Sequence, residues 1–278
     1  MKTKTLLIAG ATLALSVATS QAQYSFVTMN IPGSGALSLL CIPWSQSPNP
    51  TSALEFLAYL RVNETLTFWN GSEYYIYTYQ GYGVGTGMGF PSDWTDGSYP
   101  PTHNIPGEVY DVADDLYWTP NPGLTAGESF WMINPGAEIH CTLLGSGSLV
   151  ASVPIHGSGG ANFVGNAIPT PASGNAEGAA INLTANFTSG EIVYVWNGSG
   201  WYLYYYEGAG VGTGLGYRSN FTDGSYGPPS SLVHNIPGEV YDSADDVYWT
   251  PPLNLNIGQG LIITNPNADE SWSENIIW

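Results

Sequence analysis

The chain has 278 residues and a formal net charge of −18 at neutral pH, from 22 Asp and Glu against 4 Lys and Arg. Nucleic acid and anionic lipid are bound chiefly through Lys and Arg, so this balance excludes both and leaves cations, neutral sugars or further copies of the chain as partners. With 9% charged residues, 13% aromatic ones and many Gly and Pro, the composition is that of a folded β-rich protein and not of an acidic disordered tail.

Lys2 and Lys4 precede the apolar run Leu6 to Val17, and Ser20-Gln21-Ala22 offers small residues for cleavage. Residues 1–22 therefore read as a signal peptide, and the expected location is secreted, extracellular or at the cell surface. No later stretch approaches the roughly 18 uninterrupted apolar residues of a membrane helix, so membrane insertion is not expected.

After this leader the sequence says nearly everything twice. A strand-like run ending in Pro opens each copy, Leu37 to Pro43 and Asn162 to Pro169, and a short helical segment follows, over Ala53 to Tyr59 and less clearly over Ala176 to Leu183. Next come two aromatic hairpins. Leu66-Thr-Phe-Trp69 and Tyr74 to Tyr79 flank Asn70-Gly-Ser-Glu73, and Val193-Tyr-Val-Trp196 and Trp201 to Tyr206 flank Asn197-Gly-Ser-Gly200. Asn-Gly favours such turns because both residues tolerate positive φ. Each hairpin runs into glycine at every second place, Gly81 to Gly89 and Gly208 to Gly216. An extended strand would carry those glycines on one bare face.

His103-Asn-Ile-Pro-Gly-Glu-Val-Tyr-Asp111 then recurs unchanged as His234 to Asp242, with a short insertion before the second copy. Leu116-Tyr-Trp-Thr-Pro120 matches Val247 to Pro251, and Gly127-Glu-Ser-Phe-Trp-Met-Ile-Asn-Pro135 matches Gly258 to Pro266. Residues 145–160, rich in Ser and Gly, read as the join. Six or seven short strands per copy point to an all-β chain of two tandem β-sandwich or barrel-like domains with short helical turns, over residues 23–150 and 151–278.

Four features invite a chemical reading. Glu108, Asp111, Asp114 and Asp115 recur as Glu239, Asp242, Asp245 and Asp246; so many carboxylates in a chain nearly without cations need solvent or an ion, and calcium suits an all-oxygen set. On the second hairpin strand, alternation gathers Tyr75, Tyr77 and Tyr79, and likewise Tyr202, Tyr204 and Tyr206, on one face. That face either packs on its own core or forms a contact site adjoining the glycines. Cys41 and Cys141, with Ala167 and Trp272 at the matching places of copy two, are either a disulfide closing a loop of roughly 100 residues, worth about 5 kcal/mol, or two buried thiols. His103 and His234, near Asp96 and Asp223, are loop residues able to bind a transition metal or lend pH sensitivity. H-E-x-x-H, C-x-x-C and G-x-S-x-G do not occur in the sequence, so no enzymatic activity is expected.

Gly127 to Pro135, Thr142 to Gly145 and Phe163-Val-Gly-Asn166 resemble the "GEGFFxxNP", "TFVGEV" and "LVGN/S" motifs of duplicated secreted proteins common in Verrucomicrobia and Planctomycetes. The resemblance implies secretion and a β fold; that family brings no established activity. The expected function is a secreted structural protein that self-assembles, as a homo-oligomer or polymer, into a fibre, sheath or surface layer through its aromatic and glycine faces. The alternative is a carbohydrate-binding or adhesive module with one shallow aromatic site per repeat and polysaccharide as partner.

Overall fold

The computed structural model describes residues 24–42, 56, 58–82, 84, 92–96, 103–124, 127–146, 150–165, 172–173, 187–208, 220–226 and 235–275. The first half contributes β1 (Tyr24–Ile31), β2 (Ala36–Cys41), β3 (Thr65–Trp69), β4 (Tyr74–Tyr79), β5 (Trp94–Asp96), β6 (Val109–Asp111), β7 (Leu116–Thr119), β8 (Ser129–Asn134) and β9 (Ile139–Ser146). The second contributes β10 (Val150–Ile155), β11 (Ala161–Gly165), β12 (Ala172–Ser173), β13 (Ile192–Trp196), β14 (Trp201–Tyr206), β15 (Phe221–Tyr226), β16 (Val240–Asp242), β17 (Val247–Trp249), β18 (Asn254–Leu255), β19 (Gly260–Thr264) and β20 (Glu270–Asn275). The chain is all-β. Phe56 has helical backbone, with Tyr59 N donating to its carbonyl at 3.0 Å, so part of the first helical segment is a single turn; the segment over 176–183 lies outside the described residues.

Two antiparallel sheets of seven strands share one topology, β2-β8-β3-β4-β5-β7-β6 and β11-β19-β13-β14-β15-β17-β16. A two-stranded ribbon, β1-β9 or β10-β20, covers the core face of each, and β12 pairs with β18. Alternation selects that core: Leu66 and Phe68 point inward from β3, Val193 and Val195 from β13, and each meets the ribbon through residues such as Ile31 and Ile139, or Ile155. Two separate hydrophobic clusters result, one per half. The join expected over 145–160 is strand at 145–146 and 150–155, because β9 and β10 each find a non-local partner, β1 and β20, for their backbone groups.

The halves meet through reciprocal contacts, as in an isologous dimer. Cys41 N donates to Gly258 O at 2.9 Å and Gly165 N to Gly127 O at 3.0 Å, while Leu40 bridges to Gln259 and Val164 to Glu128. The register sets Cys41 opposite Ser129 and Gly165 opposite Gly260, so Gly165, and not Ala167, holds the place of Cys41. Equivalent residues therefore face each other at the junction. A Cβ on Gly165 would lie 2.4 Å from that of Cys41, and one on Gly260 would lie 2.6 Å from Ser129 Oγ. Each pair fits because one member lacks a side chain.

Candidate functional site

The tyrosine faces are turned inward. Tyr77, Tyr79, Tyr204 and Tyr206 are buried, and Tyr75 and Tyr202 are half-buried against the same cores. Tyr77 packs edge-on to Phe68 and Trp94, and burial pushes its phenol up to about 12, as it does for Tyr204. These six residues are core because the ribbon covers their side of the sheet. Nor do they run on into a glycine trough: Gly81 (φ 111°) and Gly208 (φ 130°) turn the backbone out of the extended conformation directly after the strands, and Gly83, Gly85 to Gly89 and Gly210 to Gly216 lie outside the described residues.

Cys41 and Cys141 are buried thiols not joined in a disulfide. Leu40 and Ile42 enter the first core, so Cys41 between them points to the opposite face of β2, against Gly165, whereas Cys141 lies inside that core. The sheet separates them. Burial pushes the Cys141 thiol up to about 11.

The acidic clusters divide. Asp111 Oδ1 accepts from Ala113 N at 2.8 Å and Asp242 Oδ1 from Ala244 N at 2.9 Å, closing the turns before β7 and β17. Asp115 Oδ1 accepts from Tyr110 OH at 2.5 Å and Asp246 Oδ1 from Tyr241 OH at 2.6 Å, at positive φ in both turns, while Asp114 and Asp245 are exposed. Glu108 leaves this group and stands with Asp96 and His103. Glu239 occupies its place in the second half; His234 lies outside the described residues.

A pair of clefts at the junction has no counterpart in the sequence-level expectations. Each is built from the Trp-Asn-Gly tip of one half's hairpin and the ribbon and edge strand of the other. The first, of about 380 Å³, sets Trp69, Asn70 and Gly71 against Pro154, His156 and Phe163, with Glu128 beside them. The second, of about 770 Å³, sets Trp196, Asn197 and Gly198 against Asn30 and Leu37, with Asn256 and Gln259 at its side. Both fall in the usual range for small-molecule sites, which form preferentially at domain boundaries.

The second cleft is the better defined chemically. Trp196 Nε1 donates to Leu37 O at 2.9 Å across the junction, and its ring is held edge-on by Trp131 at 5.7 Å and Trp201 at 5.4 Å. With its N–H satisfied internally, the indole has an apolar face to offer and a fixed orientation. Around it stand the amides of Asn30, Asn197, Asn256 and Gln259, and no ionisable side chain lines the cleft among the described residues. Asn30 Oδ1 is held by His140 Nδ1 at 2.7 Å, and Gln259 Oε1 accepts from Asn256 N at 3.0 Å, so these groups are also preset. The repeated Trp-Asn-Gly was the available signal, but nothing local says that each tip is completed by the other half. Compared with models of known protein families, with curated proteins and with solved structures, the chain finds no match.

Proposed function

We propose that this is an exported carbohydrate-binding protein that takes neutral sugar units in the clefts between its halves, chiefly the one at Trp196. The observation that carries this reading is a preset indole beside four neutral amides, with no ionisable side chain lining the cleft among the described residues. Sugar rings present an apolar face and a rim of hydroxyls, which match a flat aromatic surface and amide N–H groups whose own oxygens are held within the protein at Asn30, Asn197 and Gln259. The charge of −18 disfavours anionic glycans and leaves neutral ones.

Native electrophoresis through gels containing neutral glucan, mannan or xylan, with alginate as a polyanionic control, tests this. The chain should be retarded by a neutral polymer and not by alginate. Asn256→Ala, which removes an exposed amide from the cleft, should weaken retention about 2- to 10-fold, the range for one hydrogen bond. Indifference to every neutral polymer would sink the reading.

Self-assembly into a fibre or sheath is supported by a different feature, the exposed apolar group of Val62, Tyr82 and Val84 around Gly81, where the glycine segment begins. Light scattering that grows with concentration, in a chain that no polymer retards, would favour it.

A further inference from the structure

We propose that Asp96, His103 and Glu108 form a site for a divalent first-row transition ion of the zinc class. Asp96 ends β5, His103 stands a few residues before β6 and Glu108 immediately precedes it; β5 and β6 flank β7 at the sheet edge, and the three residues meet across that strand. His103 Nδ1 is 3.0 Å from Asp96 Oδ2 and 3.9 Å from Glu108 Oε2, and the three ligand atoms lie within 4.8 Å of one another. Tetrahedral bonds of roughly 2.0–2.2 Å to nitrogen and carboxylate oxygen set ligand atoms roughly 3.3–3.6 Å apart, between the Asp96 and Glu108 distances, so shifts of a few tenths of an ångström in the side chains form the site.

The second observation is Glu108 itself. Its side chain is 6% exposed, and neither carboxylate oxygen makes a hydrogen bond, although a buried carboxylate normally has several. It faces Asp96, 10% exposed, across the imidazole, so two poorly solvated carboxylates stand on either side of one histidine. A divalent ion supplies what that arrangement lacks. The histidine is held in place from two sides, because its ring stacks on Tyr117 with centroids 3.5 Å apart and its backbone sits at φ 43°. At 31% exposure it leaves the site open to solvent, so water completes the coordination.

An imidazole nitrogen with two carboxylates selects zinc, cobalt or manganese over calcium, which prefers oxygen alone. The site therefore differs from an all-carboxylate calcium site in the Asp111 to Asp115 turn. Binding places the ion on Nδ1, and the imidazole keeps its single proton on Nε2.

The test is calorimetric titration of the full, tag-free chain with Zn²⁺, on a His234→Ala background so that the repeated sequence at Asp223 and Glu239 does not obscure the first half. One saturable site is expected, with visible d–d absorption when Co²⁺ replaces zinc. His103→Ala and the isosteric Glu108→Gln should each weaken it by more than the roughly 10- to 100-fold that losing an outer-shell partner costs. Asp114→Asn should leave it unchanged, and excess Ca²⁺ should not displace Zn²⁺. The near-UV circular dichroism of each variant checks its fold, and should His103→Ala fail to fold, Glu108→Gln decides. Unaltered zinc affinity in Glu108→Gln, displacement by calcium, or no saturable binding would each overturn the assignment.

Discussion

Glu64 and Glu191 hold the same place in the two halves, both without exposed surface, yet their surroundings have diverged. Arg61 N donates to Glu64 Oε2 at 2.9 Å, and burial raises the Glu64 pKa while that hydrogen bond and the arginine charge oppose the rise. Beside Glu191 the arginine is replaced by Thr188, whose hydroxyl donates to a second carboxylate, Glu270, at 2.9 Å. Burial, and then a hydrogen bond with Glu270, push Glu191 up to about 8. A carboxyl whose folded pKa exceeds its unfolded value of 4.5 favours the folded state when protonated. That contribution is complete below 4.5 and is lost as pH rises through about 8. Glu191→Gln, which keeps the neutral form at every pH, should raise the midpoint of thermal unfolding at pH 9 by several degrees and change it little at pH 5; about 1 kcal/mol corresponds to about 2–4 °C at this size. Equal shifts at both pH values would show that ionisation of Glu191 is not the cause. Both glutamates are plain in the sequence, but their environments are not, because Glu270 is far along the chain and reaches Glu191 only through the fold.

The hairpins are the elements most fully written into local sequence, and even there the turn differs from expectation. Trp69 pairs with Tyr74, leaving Asn70 to Glu73 as the loop, and Asn70 N donates to Glu73 O at 3.1 Å. Gly71 takes positive φ (100°) but Asn70 does not; instead its Oδ1 accepts from Ser72 N and Glu73 N, each at 2.9 Å, and from Ser72 Oγ at 3.0 Å. The second half repeats this, with Asn197 Oδ1 accepting from Ser199 N and Gly200 N. Asparagine is thus used for its side-chain acceptor, in the manner of an Asx turn. Asn70→Ala should lower stability by about 1–2 kcal/mol, since these bonds are exposed and water recovers part of each. The urea midpoint measures it, and Asn70→Asp, which retains the acceptor, should recover most of the loss. Alternation along the next strand correctly grouped Tyr75, Tyr77 and Tyr79. It did not decide which side of the sheet was covered, since the covering strands, β1 and β9, are distant from it in sequence.

At the scale of the molecule, two homologous halves meet at an interface that identical halves would not tolerate. Cys41 against Gly165 and Ser129 against Gly260 are large-to-small pairs at equivalent positions, so duplication was followed by complementary change at the junction. Gly165→Ala should destabilise the chain, because its Cβ meets both Cys41 and the carbonyl of Gln259, and Cys41→Gly should destabilise it separately by leaving a void and a flexible strand. Combined, they should be more stable than the sum of the two effects predicts, by about 0.5–3 kcal/mol, the range for residues in contact. Strict additivity in urea unfolding would mean that the junction adjusts without strain. The duplication, the all-β class, the hairpins and the closing strands were determined by the sequence itself, because residue alternation and turn chemistry act over a few neighbouring residues. Tertiary structure alone decided that the tyrosine faces are core, that Cys41 and Cys141 lie on opposite sides of a sheet, that Glu108 belongs with Asp96 and His103, and that each Trp-Asn-Gly tip is completed by the other half. Those outcomes depend on which distant segment covers each surface, and no local pattern in the chain encodes that pairing.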